Sequence, residues 1–289
     1  MPANRSRTER WKECLHQIFE RNGGLEISVD QQGASALGVH ETSGGNADVV
    51  WRVRLLRLND REMMVERPAA MGHSFSLPIG TSLIAAMSVG QNRWMFRTRI
   101  TGEVARSMTS PGGLVLAMPE HVERCSRRSA FRVSTAEMRL PLVTCWPLLD
   151  PASVVAAEVA NRAAILEAQR GNAPSLQLTD DSALVLPEVG PSFPAKLMNV
   201  GGGGVGLLIE RADQSAAERS RLLWLRVDLR PRIALPIAMT ARVVHVHNNS
   251  EGQLYFGAAF DFAFHEAHRE FVVSQMTRYV EGLAQRQAA

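Results

Sequence analysis

A mainly β protein with two domains in tandem is the fold class this sequence predicts, and three observations predict it. Apolar and polar residues alternate with period two through most of the 289 residues. The alternation comes in two blocks, separated by a basic junction, RRSAFRV, at residues 127 to 133. A helical period is confined to three segments, near residues 5 to 22, 151 to 170 and 265 to 286. A chain of this length can bury two separate cores, each of ordinary domain size.

The first segment carries Trp11, Cys14, Leu15, Ile18 and Phe19 at helical spacing, with Gly23 and Gly24 as its stop, and is expected to lie against the first domain. The first β block follows. Trp51, Val53 and Leu55 alternate with Arg52 and Arg54, and Trp94, Phe96, Thr98 and Ile100 alternate with Arg93, Met95, Arg97 and Arg99. These are half-buried strands. SVGQNRW reads as a hairpin turn, GGLVLAMPE as the last strand of the block, and MPEHVERCS as a connection.

The second block opens with RVSTAEMRLPLVTCW as a strand. It is interrupted by PASVVAAEVANRAAILEAQRG, where Val155, Val159, Ala163 and Leu166 form a helical stripe followed by a polar loop. Strands resume at PAKLMNVGGGGVGLLIE, LLWLRVDL, IAMTARVVHVHNN and GQLYFGAAFDF, the last two forming a hairpin around NNSEG. A final helix presents Val272, Met276, Tyr279, Val280 and Leu283 on one face. The expected division is an N-terminal helix over 1–24, a first β domain over 25–119 and a second over 120–289. The second contains a linker over 120–132, the insertion over 151–190 and the closing helix over 265–286.

Composition narrows the function classes. An apolar fraction of 45% with 21% charged residues is ordinary for a soluble protein, and no stretch has the roughly 18 uncharged apolar residues of a membrane span. The start, MPANRSRTERWKECLHQIF, lacks the apolar core of a secretory signal, so a cytoplasmic location is expected. Cys14, Cys125 and Cys145 match no zinc or redox spacing and read as incidental thiols. The net charge is only +3, yet Lys12 and Lys196 are the only lysines, so the cations are almost all arginine. Arginine makes planar, two-pronged contacts to phosphate, and where it clusters carries more information than its count.

The run Gly201 to Gly204 lacks the Lys-Ser/Thr ending of a P-loop and leads into a strand, not a helix, which argues against a mononucleotide-phosphate loop. A tight turn using positive φ angles is the plainer reading. His245 and His247 lie two apart on a strand and face one way, but no third ligand is near them in sequence. His265 and His268 share the first turn of the last helix and are expected to be solvated. No nucleophile elbow or cysteine-nucleophile context occurs. No catalytic residue, metal ligand set or cofactor is therefore expected, and the protein is read as a non-enzyme.

The arginine cluster gains meaning from NVGGGG some seventy residues later. Arg128 to Arg132 in RSAFR, and Asn199, Gly201 and Gly204 in NVGGGG, resemble the RxxxR and (D/N)xSxxG segments of the PilZ domain. The order of a β-rich first domain, basic junction, barrel and C-terminal helix is similar to the two-domain flagellar brake group of that family. The resemblance implies a split-barrel domain followed by a six-stranded PilZ barrel. It implies a receptor for cyclic di-GMP that binds through Arg127, Arg128, Arg132, Asn199, Gly201 and Gly204.

The family also implies that the ligand reorients the two domains, that the flagellar motor or another protein is the partner, and that the protein works in the cytoplasm near the basal body. Gly201 replaces the motif's serine, which removes one hydroxyl, worth about 0.5–1.5 kcal/mol. A degenerate PilZ module that mediates protein interactions without nucleotide is the alternative. A nucleic-acid-binding barrel, suggested by a pI near 9.0, lacks the exposed aromatics such binding uses, because Trp51, Trp94 and Phe96 fall on the apolar phase of their strands.

Overall fold

Alternation along a strand gives one apolar face, and a sheet that curls until its first and last strands pair buries that face while leaving no open edge. The chain does this twice. The structure, a computed structural model, describes residues 11–30, 48–89, 92–108, 111–125, 140–171, 185–210, 213, 220–248 and 253–288.

In the first half the strands are β1 (Gly24–Val29), β2 (Trp51–Leu58), β3 (Glu62–Val65), β4 (Ala69–Ala70), β5 (His73–Ser74), β6 (Ser82–Val89), β7 (Asn92–Val104), β8 (Gly113–Ala117) and β9 (Glu123–Cys125). The antiparallel order β1-β6-β7-β8-β3-β2 is closed by a β1–β2 pairing, a ring of six strands. In the second half come β10 (Leu142–Pro147), β11 (Phe193–Val200), β12 (Gly204–Ile209), β13 (Leu222–Val227), β14 (Ile237–Asn248) and β15 (Leu254–Phe260). Their order β11-β10-β13-β14-β15-β12 is closed by a β11–β12 pairing, a second ring of six. The two rings are stitched by a parallel bridge between Val200 and Trp51, with the Val200 N–H donating to Val50 O at 2.6 Å.

The predicted faces hold. Trp51, Val53, Leu55, Trp94, Phe96 and Ile100 are buried, while Arg52, Arg54, Arg97 and Arg99 point outward. The connection after residue 117 differs from expectation, because Glu123–Cys125 pairs antiparallel with β7. One apolar cluster runs from Leu25 and Trp51 of the first ring to Leu225 and Phe256 of the second, so the rings share packed contacts.

Three helices cover the rings. Helix α1 (Trp11–Glu20) packs Leu15 and Ile18 against β2 and β6. Its stop is Asn22 rather than the glycines. Asn22 takes the left-handed conformation (φ 52°), with its N–H donating to Phe19 O and the Gly23 N–H to Ile18 O, a Schellman cap. Helix α2 (Val154–Gln169) leaves between β10 and β11, and Helix α3 (Glu266–Ala288) buries Val272, Met276, Tyr279, Val280 and Leu283 as its pattern predicts.

On α2 the predicted stripe is displaced by one residue. Val155 and Val159 are 39% and 52% exposed, and the buried face is Val154, Ala157, Glu158 and Ile165. The reason is polar. Glu158 bonds His265, and Asn161 donates to Pro236 O while accepting from the Ala238 N–H at the start of β14. A search for apolar residues assigns those two positions to solvent. The start of α2 completes a small second cluster with Trp146 and Trp224, on the outside of the second ring.

Candidate functional site

Along β11, Phe193, Ala195 and Leu197 point into the second ring, and strict alternation would send Asn199 inward too. A register shift between Leu197 and Asn199 intervenes: Leu197 pairs with Leu207, and Asn199 with Gly206. The extra residue of this bulge, Met198, reverses the phase. Val200 joins the core, and Asn199 turns to the outer face, where the first ring covers it to 8% exposure. There its Nδ2 donates to Tyr255 Oη at 3.3 Å and to Glu26 Oε1 at 3.4 Å, while Glu26 Oε2 pairs with Arg93 Nη2 at 2.7 Å.

The outer face of β12 and β15 beside Asn199 is almost bare backbone. Val205, Leu207 and Ile209 face the core, leaving Gly204 and Gly206 outward, with Gly257 next to Gly206 on β15. A Cβ on Gly206 would stand 2.0 Å from Tyr255 Oη, and one on Gly257 would stand 1.9 Å from the His245 ring. The Tyr255 hydroxyl and the His245 ring therefore fill the space over these glycines. His245 and His247 do share a face, and their rings stack at 5.9 Å, with Tyr255 4.8 Å from His247. Burial, aided by the Glu26 charge, raises the Tyr255 hydroxyl above its ordinary pKa and keeps it neutral, against the lowering effect of Asn199 and Arg52.

This face is the floor of a cleft of about 530 Å³ between the rings. Asn199, Gly201 and Gly204 all line it. The opposite wall is Asn22, Gly23, Gly24 and the outward arginines of β2, Arg52 and Arg54. Arg54 is engaged by Glu66, Nε to Oε1 at 2.7 Å, which holds that carboxyl below its usual range. Arg52 is exposed and has no ion pair among the described residues.

The glycine run is a tight turn, as expected, with the Gly201 N–H donating to Gly204 O at 2.8 Å. The expected positive φ is absent. The described glycines in the left-handed region are Gly72, Gly80, Gly112 and Gly171. Only Gly204 is sterically obligatory, since a Cβ there would lie 2.1 Å from Ala258 O. Gly201, Gly202 and Gly203 have room for one. The carbonyls of the run carry structure: Gly202 O accepts from the Gly72 N–H of the first ring, and Gly203 O accepts from Phe260 N–H.

Of the six predicted ligand residues, the structure brings three together. Arg127, Arg128 and Arg132 lie outside the described residues. Arg52, Tyr255 and His245 were missed as site residues because each reads locally as an ordinary strand position, and only the fold sets them around Asn199. His265 and His268, expected in solvent, are partly and fully buried respectively. Cys14 and Cys145 form no disulfide, and among the described residues no helix is long and apolar enough to cross a membrane.

No family profile matches the chain, and no curated protein matches it. Among solved structures it is similar to the Bacillus subtilis inhibitor of motility (MotI/DgrA), at 12% identity over 90% of this chain and 97% of that one, with a TM-score of 0.28. It is also similar to the K. pneumonia MrkH–c-di-GMP complex, at 10% identity over 96% of both chains and a TM-score of 0.29. A third is YcgR in complex with c-di-GMP from Escherichia coli, at 8% identity over 95% of this chain and 92% of that one, with a TM-score of 0.26.

Proposed function

We propose that this chain is a non-enzymatic PilZ-type receptor for cyclic di-GMP, which binds in the cleft between the two rings. The observation that carries the reading is the convergence of Asn199, Gly201 and Gly204 on one bare-backbone floor, facing Arg52 of the other ring, which has no ion pair among the described residues. An amide offers a guanine edge both a donor and an acceptor. Exposed glycines let a planar, charged ligand approach the main chain, and at Gly201 to Gly203 no packing demand accounts for the missing side chains.

The arginine segment can reach this place. It follows β9, whose Cys125 pairs with Arg93, and the guanidinium of Arg93 holds the Glu26 that Asn199 touches. Arg128 is three residues past Cys125, so their Cα atoms are at most about 11 Å apart in any conformation. Each arginine–phosphate contact contributes roughly 1.5–3 kcal/mol. Binding fastens residues 127 to 132 over the cleft and turns one ring relative to the other about the Val200–Trp51 bridge, working against contacts such as Gly72 N–H to Gly202 O. A ligand shifts such an equilibrium only through contacts it makes better in one arrangement. On the family resemblance, the readout is a protein partner such as the flagellar motor, reached in the cytoplasm at the basal body.

Calorimetric titration of the whole protein with cyclic di-GMP tests this. Saturable binding that is lost on mutation of Asn199 supports it. A folded protein that gives no binding heat at any ligand concentration overturns it and leaves the nucleotide-free interaction module.

A further inference from the structure

The insertion between β10 and β11 plays no part in the nucleotide reading, yet its helix carries a buried cluster of a carboxylate and two histidines shared with α3. Glu158, on α2, has 1% of its surface exposed, and His268, in the first turn of α3, has 0%. His265, at the entrance to α3, completes the group, its Nδ1 lying 2.7 Å from Glu158 Oε2. One ligand atom from each of the three lies within 4.8 Å of those of the other two.

The buried histidine shows what the cluster is built for. Its Nε2 lies 2.8 Å from the carbonyl of Ala238, which can only accept, so Nε2 carries the proton. Nδ1 is then a bare lone pair, and it has no hydrogen-bond partner among the described residues although it is fully buried. An orphaned buried acceptor is costly. A backbone carbonyl fixing one ring nitrogen so that the other presents its lone pair is the usual outer-sphere arrangement of a metal-binding histidine. The buried carboxylate beside it supplies the negative charge that a dication needs.

We infer that Glu158, His265 and His268 form a zinc site that clamps the inserted helix α2 onto the C-terminal helix α3. Two imidazoles and one carboxylate are a borderline nitrogen and oxygen set suited to Zn²⁺, leaving a fourth position for water. Bonds of about 2.0–2.2 Å place tetrahedral ligands about 3.3 Å apart, so with all three ligand atoms within 4.8 Å of one another no gap has to close by more than about 1.5 Å. Zinc replaces the proton now shared between His265 and Glu158. Arg162, one turn along α2 and stacked over Phe271 at 5.6 Å, opposes the added charge, and the carboxylate offsets it.

The test is titration of the chelator-treated full chain with Zn²⁺ by calorimetry, and with Co²⁺ by visible absorption. One ion per chain is expected, with the absorption of a four-coordinate nitrogen and oxygen site and a melting temperature that rises with zinc. Glu158→Gln and His265→Ala should each weaken binding by about tenfold or more. His265→Ala keeps the test sharp if Glu158→Gln fails to fold, because His265 reaches the surface. A double His245→Ala, His247→Ala variant should bind as the parent does. The inference is overturned by absence of saturable zinc binding, by wild-type affinity in the His265→Ala variant, or by loss of binding in the His245/His247 variant.

Discussion

The two motif glycines should respond in opposite ways to a side chain. At Gly204 an added Cβ meets Ala258 O at 2.1 Å, and the Ala258 carbonyl carbon and Ala259 Cα at 3.0 Å, all backbone atoms of the paired strand β15. Nothing flexible can give way, so β12 and β15 must part by about 1 Å. Overpacking of this kind costs about 1–3 kcal/mol, and loosening one ladder hydrogen bond adds about 1 kcal/mol. For Gly204→Ala this predicts a melting temperature lower by on the order of 10 °C. At Gly201 the nearest atom to an added Cβ is Gly204 O at 3.9 Å, an ordinary contact. Gly201→Ser should therefore melt with the parent. Its hydroxyl restores the family's residue in the cleft and should tighten cyclic di-GMP binding by about two- to twelvefold, the worth of one hydrogen bond. Thermal melts and calorimetric titrations of both variants check the pair. A Gly204→Ala protein as stable as the parent would refute the steric reasoning. A well-folded Gly201→Ser protein with unchanged or weaker binding would show that residue 201 does not face the ligand.

The other expectations concern the rest of the cleft. Arg128→Ala and Arg132→Ala should each weaken nucleotide binding by about tenfold or more without moving the melting point, because a charge-assisted phosphate contact is lost; wild-type affinity in both would exclude the arginine segment from the site. Asn199→Ala should lower affinity and cost about 1 kcal/mol of stability by removing the donor that Tyr255 Oη accepts from, and a denaturation midpoint equal to the parent's would contradict the bond. The resemblance further implies that an arginine at position 127 favours a stacked pair of cyclic di-GMP molecules per chain, so Arg127→Leu should shift the count from two toward one, which titration to saturation measures. Arg269 donates from Nε and Nη2 to Met71 O, tying α3 to the first ring, so Arg269→Leu should free the rings and enlarge the ligand-induced change in small-angle scattering. Superposing curves with and without nucleotide in both proteins would rule out reorientation.

Much was legible in the sequence because it is local. Period-two alternation marked the strands around Trp51, Trp94 and Leu225, and period 3.6 marked the buried face of α3, since burial on one side imposes the repeat wherever the partner comes from. Where a residue's role depends on an irregularity, the pattern fails. Asn199 was picked out by its motif, but the bulge at Met198 that turns it outward leaves no mark in an apolar count. The face of α2 was misread for a related reason, because Glu158 and Asn161 are buried by satisfying partners far along the chain.

Local pattern thus fixed most of the longer elements, their order and the chemistry available to them, arginines, an amide and glycines in two short segments, but not short strands such as Glu123–Cys125. Only the folded chain decided which strands pair to close each ring, that Arg52 faces Asn199 across a cleft, and that Glu158 meets His265 and His268. The physical reason is that periodicity records which side of an element avoids water, whereas a site needs groups from separate elements at bonding distance. Ring closure and helix docking set those distances, by aligning whole hydrogen-bond ladders and apolar faces at once.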